Sequence, residues 1–318
     1  MSHSAGRVLL RLMMVLTSEL LPSVPQNIDA TRLHAMNTII MSIPIPHLCV
    51  ITAADIEFKA VSQQLEGRTF AESAGIKICQ GRAGRNLITV LQSEVGAPNF
   101  IEKLTAQLTA TKYDALLVIG LAGALVPELK TGEVVFYDMC FAFRPQVGDF
   151  VESGQAMNDE ASSVCDFQIS SALRQLLLDD GLECMFGAGL TLDFMVTSAE
   201  EKLSMGESYG AAAVDMESYD VIQLGTQLGL PVVVLRVVVD EAEQKTPDFN
   251  MALDASGQMS AGKSLVAMLL RPFAAIKFLF SLRAAMKILR RAAMLALTAE
   301  PKLIRPTRSL VLARKMSA

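Results

Sequence analysis

Three carboxylates stand in two tight settings between residues 213 and 240, AVDMESYDVIQLGTQLGLPVVVLRVVVD. Asp215 and Glu217 flank Met216 where a helix-like segment opens, and Asp240 closes a run of β-branched residues. Such a run reads as a strand buried on both faces. An acid at its end meets the edge of a core, where burial shifts a pKa toward working values. Asp240 would protonate a leaving group if burial raises its pKa. Glu217 carries two acceptor oxygens, which suit a pair of hydroxyls such as a sugar presents. Residues two apart face different sides, so at most one of Asp215 and Glu217 enters a pocket, and Asp215 is read as structural. A fourth carboxylate, Glu57, follows Ile51-Thr52-Ala53-Ala54-Asp55-Ile56 in the first turn of a helix. There it is either a favourable charge at the helix N-terminus or a general base projecting into a strand-end pocket.

Residues 116–125, LLVIGLAGAL, run a buried strand into Gly120-Leu121-Ala122-Gly123. Glycine there lets backbone N–H groups approach an anion or a sugar; the plain alternative is a tight strand-to-helix turn. Neither G-x-G-x-x-G nor a Walker sequence occurs. The only histidines are His3, His34 and His47, so mechanisms with a histidine base or a histidine-rich metal site have almost no material. That disposes of Gly206-Glu207-Ser208-Tyr209-Gly210, a literal G-x-S-x-G match with no histidine downstream.

The elements that must hold these groups alternate. Strand-like runs cover 47–53, 76–80, 87–92, 115–119, 133–140, 188–196 and 232–239. Helix-like runs cover 55–65, 98–111, 168–179, 199–209, 216–229 and 260–297. This order predicts an α/β protein: a single domain with a central mixed β-sheet flanked by helices, plus a C-terminal basic amphipathic helix. The expected organisation is an irregular extension over 1–45, the domain over 46–258 and the basic tail over 259–318. Ligands in such sheets gather at the carboxyl ends of strands.

Composition narrows the partners. The chain has 318 residues, about half of them apolar, enough for a sizeable core. Its net charge of −5 argues against nucleic acid. Residues 255–318 carry twelve Lys/Arg and one acid, Glu300, leaving sixteen Lys/Arg against thirty-two Asp/Glu in the rest. An acidic body with a basic tail implies a separate partner for the tail. The scattered Cys49, Cys79, Cys140, Cys165 and Cys184 read as free thiols of a cytoplasmic protein. No apolar run has the length of a membrane span.

At the strand–GLAGAL, AVDMES and LGLPVVVLRVVVDEAE segments the chain resembles the purine nucleoside phosphorylase and nucleosidase superfamily, over about residues 47–250. That superfamily includes the methylthioadenosine/S-adenosylhomocysteine nucleosidases and the hopanoid-associated phosphorylases. The resemblance implies cleavage of the N-glycosidic bond of an adenine-type purine nucleoside. It implies that Met216 and Glu217 hold the ribose and that Asp240 protonates N7 of the base. Glu57 activates water if the reaction is hydrolytic, and Gly120, Ala122 and Gly123 line the site. Phe194 and Val196 fall in the base-stacking segment, Phe194–Ser198. If the reaction is phosphorolytic, inorganic phosphate is co-substrate and Arg82, Arg85 and Ser93 are its candidate ligands. No metal or other cofactor is expected, and relatives of this kind imply a homo-oligomer. The nucleosidases carry serine in the glycine-rich segment and before the Asp, where this chain has Leu121 and Val239. That makes a less polar pocket than simple methylthioadenosine specificity calls for. VDMES, Lys202 and the RPF-containing tail lean toward the hopanoid-associated branch. A non-catalytic nucleoside-binding or membrane-adaptor protein on the same fold is the alternative.

Residues 271–297 read as one helix starting near Pro272. At about 100° per residue, Lys277, Arg283, Lys287, Arg290 and Arg291 share an arc of about 140°, with Phe278, Leu279, Leu282, Met286 and Leu289 opposite. Such a helix either packs on the acidic body or lies on an anionic membrane surface. The second would bring the enzyme to the inner membrane face and to a lipid-linked substrate.

Overall fold

The computed structural model describes residues 45–92, 100–143, 162–250, 266 and 268–304. Ser93, nearly all of the extension read over 1–45, and parts of the tail lie outside the described residues. In chain order the elements are β1 (His47–Thr52), α1 (Asp55–Ser62), β2 (Glu66–Ser73), β3 (Ile76–Ala83), β4 (Asn86–Gln92), α2 (Phe100–Ala110), β5 (Ala115–Ala124) and β6 (Val134–Phe143). Then come β7 (Ser162–Val164), α3 (Phe167–Asp179), β8 (Cys184–Leu192), α4 (Ala199–Tyr209), β9 (Ala211–Asp215), α5 (Ser218–Gln227), β10 (Val232–Asp240), α6 (Pro272–Thr298) and α7 (Pro301–Ile304).

The sheet is mixed, as expected, and it also closes on itself. Strands β5, β10, β6, β8 and β9 pair in a ring, because β5 pairs with both β10 and β9. From β5 the sheet continues through β1, β4, β3 and β2 as an open wing. The pairs β1–β4, β1–β5 and β5–β10 are parallel, so the ends of β1, β5 and β10 carrying Thr52, Ala124 and Asp240 point the same way.

Period-two alternation divides the central strands between two cores. Leu48, Val50, Leu117, Ile119, Val233, Leu235 and Val237 face α1, α3 and α6. Cys49, Ile51, Leu116, Val118, Val232, Val234 and Val238 face α2 and α5. Both faces are covered, which is why these strands read as continuous apolar runs rather than alternating ones. All five cysteines are free thiols.

Several boundaries move. β5 does not stop at residue 119 but runs on through Gly120–Ala124, so the expected glycine turn is strand. The backbone stays extended there because β10 and then β9 supply hydrogen-bond partners out to Ala124. The strand read over 188–196 is β8, placed earlier at Cys184–Leu192. The sequence reading missed β2, whose residues are all exposed and so lack an apolar rhythm. It also missed β9, a short AAAVD run. Asp215 therefore ends a strand rather than opening a helix, and α5 begins at Ser218 with Glu217 at its N-cap.

The described part of the tail is not a separate body. The chain from Ile45 on forms one compact unit, with α6 built into its core. Ala285, Met286, Leu289, Ala292, Ala293, Ala296 and Leu297 are buried, and the small alanines let the helix sit close to α1, α3 and β10. Asn86 donates to the carbonyls of Leu297 and Ala299 at 2.8 and 2.9 Å, satisfying the helix's C-terminal end. Arg291 pairs with Asp180 at 2.5 Å, so one tail cation does answer the acidic body. Among the described residues no helix is long and apolar enough to cross a membrane.

Candidate active site

The carboxyl ends of β1, β5, β9 and β10 gather four buried carboxylates, Glu57, Asp215, Glu217 and Asp240, and two buried cations, Arg236 and Lys202. Each carboxylate arrives on a different local device. Glu57 is the third residue of α1, and its Oε2 turns back to accept from Ala53 N and Ala54 N, both at 3.0 Å. Its Oε1 accepts from Leu121 N at 2.7 Å. The helix-end reading of Glu57 is thus visible in its bonds to Ala53 N and Ala54 N, and the same carboxylate also reaches across to β5. The N–H group at Leu121, in the segment read as a ligand cradle, is taken by Glu57 itself.

Asp215 is saturated. Its Oδ1 accepts from Thr191 Oγ1 (2.8 Å), Ser218 N (3.1 Å) and Glu217 N (3.2 Å), and its Oδ2 meets Ser218 Oγ and Arg236 Nε, the latter at 3.0 Å. A carboxylate with that many partners is a buried strut, in line with the structural role read for it. Glu217 differs. Its Oε2 accepts from Arg236 Nη2 at 3.1 Å, while Oε1 accepts no hydrogen bond from the described residues. Burial raises the Glu217 carboxyl to about 8; Arg236 opposes the shift, and the charges of Asp215 and Glu57 add to it. One guanidinium among three carboxylates leaves the group short of positive charge. Such a place favours a sugar that becomes cationic as its bond to a base breaks.

Arg236 was not singled out from the sequence, although a lone arginine inside VVVLRVVVD is a signal: a charge in a strand buried on both faces must be paired. It is 1% exposed and lies opposite Gly120 in the β5–β10 register. A Cβ at Gly120 would stand 2.5 Å from Arg236 Nη1 and 2.8 Å from Glu57 Oε1. Glycine is therefore required here for close approach and not for a left-handed backbone.

Asp240 ends β10 beside Gly123, where a Cβ would come within 3.3 Å of its carboxylate. Its Oδ2 accepts from Lys202 Nζ, a buried ammonium on α4. Burial raises the Asp240 carboxyl and Lys202 pulls it back. Val196 is buried, and Phe194 packs beside it with Leu190 and Leu192. Asn250 clamps Met195 between them, donating to its carbonyl at 2.8 Å and accepting from its N–H at 2.7 Å. Met216 is half-buried between the two carboxylates, and Ala122 is buried in β5.

Two expected site residues stand elsewhere. Arg82 pairs with Leu87 in the β3–β4 ladder, five residues before Gln92, which marks the carboxyl end of β4. At about 3.3 Å per residue that is roughly 16 Å from the end where Glu57 lies. Arg85, in the β3–β4 turn, sits at the same far end. The antiparallel hairpin reverses direction, which distance along the sequence does not reveal.

The ring-closed mixed sheet gathers four buried acidic side chains at its strand ends, an arrangement with the means for acid–base chemistry. The chain belongs to the phosphorylase superfamily, whose family model matches residues 47–273. It is an N-glycosyl hydrolase or phosphorylase. A 5′-methylthioadenosine/S-adenosylhomocysteine nucleosidase of Geobacillus thermodenitrificans is 27% identical over 216 residues, 67% of this chain and 92% of that one. An aminodeoxyfutalosine nucleosidase of Helicobacter pylori is 27% identical over 190 residues, 56% of this chain and 76% of that one. Among solved structures, the Neisseria meningitidis 5′-methylthioadenosine/S-adenosylhomocysteine nucleosidase in complex with methylthio-immucillin-A superposes with a TM-score of 0.59. It is 20% identical and covers 80% of this chain and 98% of its own. Futalosine hydrolase of Helicobacter pylori superposes with a TM-score of 0.58 at 16% identity, covering 79% and 97%.

Proposed function

We propose that this enzyme hydrolyses the N-glycosidic bond of an adenine-type nucleoside, with Asp240 as acid to the base, Glu217 on the ribose hydroxyls and Glu57 activating water. One observation carries the choice of water over phosphate. Glu57 is held by three backbone N–H groups at the strand ends, while the two buried cations there are both engaged with carboxylates. A dianionic phosphate would meet the carboxylates of Glu57 and Asp215, the buried carboxyls of Glu217 and Asp240, and no disengaged buried cation among the described residues. A water molecule needs only an acceptor, which Glu57 is. Electron density from the breaking C1′–N9 bond moves onto the purine, where Asp240 protonates N7. The unpaired Glu217 oxygen hydrogen-bonds the hydroxyls of a ribose ring gaining positive charge. Water is the only co-substrate. The test is release of free adenine from methylthioadenosine and adenosylhomocysteine in phosphate-free buffer. Turnover that appears only on adding phosphate overturns the hydrolytic reading. Full turnover by Asp240→Asn overturns the acid role.

A lipid-linked nucleoside, such as the hopanoid-linked one, is the finer reading of the substrate, and the start of α6 favours it. Phe273 is 88% exposed, Phe280 72%, Leu269 and Leu270 68% each and Ile276 54%. Arg271, Lys277 and Arg283 stand among them, also exposed. A cavity of about 590 Å³ joins this ridge, through Leu270, Arg271 and Phe273, to Thr197 and Ser198, the last two residues of the proposed base-binding segment. Aromatic and aliphatic side chains interleaved with cations match the interface of an anionic bilayer. Vesicles of anionic and of neutral lipid, with sedimentation of the protein alone, separate membrane docking from burial of the ridge in a homo-oligomer.

A further inference from the structure

We propose that Lys202 is a positioning residue for the chemical step, setting Asp240 in place and making it an acid strong enough to give up its proton to the leaving base. The inference rests on the proposed acid role of Asp240. Lys202 lies on α4, fully buried, in a helix whose other polar side chains mostly face solvent. A buried lysine is costly unless each of its donors is answered. Here the three donors of the ammonium meet three acceptors: Asp240 Oδ2, the Gln244 carbonyl at 3.0 Å and the Glu241 carbonyl at 3.2 Å. Two of the three lie in the chain just beyond β10, so Lys202 ties that turn and the carboxylate into one rigid piece. Asp240 Oδ1 takes no hydrogen bond from the described residues, and it is the oxygen left to face the base.

Among the described residues the surroundings leave Lys202 as the only charged group paired with Asp240. Glu241 turns its own carboxylate away, toward Thr131 N at 3.4 Å and Lys130 at 4.0 Å. Glu200 and Glu201 on α4, Asp193 after β8 and Lys245 beyond β10 are exposed. Asp215, Arg236 and Glu217 form their own closed cluster across the site.

The proton balance is simple. Asp240 enters the step protonated on Oδ1. As the C1′–N9 bond breaks, its electron pair stays with the purine, and the Oδ1 proton moves to N7. Asp240 is left as a carboxylate facing the Lys202 ammonium, and it is reprotonated from solvent after the base departs. The ammonium thus stabilises a charge that appears only as the proton leaves, so it acts on the transition state more than on the bound substrate. Burial alone would make Asp240 a reluctant acid, and the ammonium offsets that effect.

The experiment is the pH profile of kcat/KM for adenine release by Lys202→Met, Lys202→Arg and Asp240→Asn beside the wild type. Without the ammonium Asp240 holds its proton to higher pH. In Lys202→Met the basic limb is then expected to move up by about one to three pH units, with kcat on the plateau falling about 10–100-fold. Lys202→Arg keeps the charge and is expected to keep the limb. Should Lys202→Met not fold, Lys202→Gln is measured instead, since its amide can still donate to a carbonyl of the turn. A uniform loss of activity with the limb unmoved would reduce Lys202 to a scaffold for the turn and overturn the proposal; so would unchanged kcat in Lys202→Met. Full activity in Asp240→Asn would instead remove the acid role itself, whatever Lys202 does.

Discussion

Arg236 reaches from the middle of β10 to Glu217 at the N-cap of α5, Nη2 to Oε2, at 3.1 Å. The same guanidinium holds Asp215 through Nε at 3.0 Å. One cation therefore joins the strut at the end of β9 to the carboxylate proposed to hold the sugar, and all three side chains are buried.

Arg236→Met should cost about 3–5 kcal/mol of stability, because it strands two buried carboxylates without their partner. Chemical denaturation reads this as a lowered midpoint with an unchanged slope. A loss below about 1 kcal/mol would mean that the cluster contributes far less than its burial implies.

Gly120→Ala places a methyl group against two side chains that are both tied down, Arg236 and Glu57. Neither can swing away without losing its hydrogen bonds. We expect the variant to fold with reduced stability and to lose at least about tenfold in kcat, since a small displacement of a water-activating group is enough for that. Wild-type kcat in a folded Gly120→Ala would show that Glu57 has more freedom than its three N–H donors imply.

Glu217 predicts a pH dependence of stability. Its carboxyl is raised to about 8 in the folded protein, chiefly by burial. The folded state thus binds this proton more tightly than the unfolded chain does. The resulting stabilisation is complete below the unfolded carboxyl range and is lost as pH rises through about 8. Glu217→Gln removes the titration. Between pH 5 and 8 the wild type should lose about 3–4 kcal/mol relative to Glu217→Gln. Parallel stability curves for the two proteins across that range would contradict the assignment.

The α6 ridge calls for point substitutions rather than truncation, because Ala285, Leu289, Ala292 and Ala296 are part of the core. Deleting residues from 260 onward should unfold the protein. The double variant Phe273→Ser, Phe280→Ser should stay folded, cleave water-soluble nucleosides at the wild-type rate and fail to float with anionic vesicles. Equal flotation of wild type and variant would place membrane contact, if any, elsewhere.

The acids at the ends of apolar runs were visible in the sequence because a carboxylate that closes a β-branched strand must sit at the edge of a core, where an idle charge is costly. Glu57, Glu217 and Asp240 stand buried at neighbouring strand ends, and Asp215 braces the Glu217 end through Arg236. The alternation of strands and helices, and the mixed sheet it implies, were legible for a related reason: burial on two faces writes itself into the apolar pattern. The cations were not legible as partners. Arg236 is one residue in an apolar strand and Lys202 one polar residue in an amphipathic helix. Their meaning depends on which carboxylate each one faces, thirty-eight positions away for Lys202 and Asp240. Arg82 and Arg85 present the opposite case, cations near β4 in the sequence that a hairpin carries to the far end of the sheet. The glycine pair of β5 belongs between these cases. Its presence was plain in the sequence, but only the packing around β5 decided that Arg236 and Glu57 fill the space at Gly120, and Val214 and Asp240 that at Gly123. Residue types and local periodicity are properties of the chain. The pairing of buried charges is a property of the packing, and only the folded structure records it.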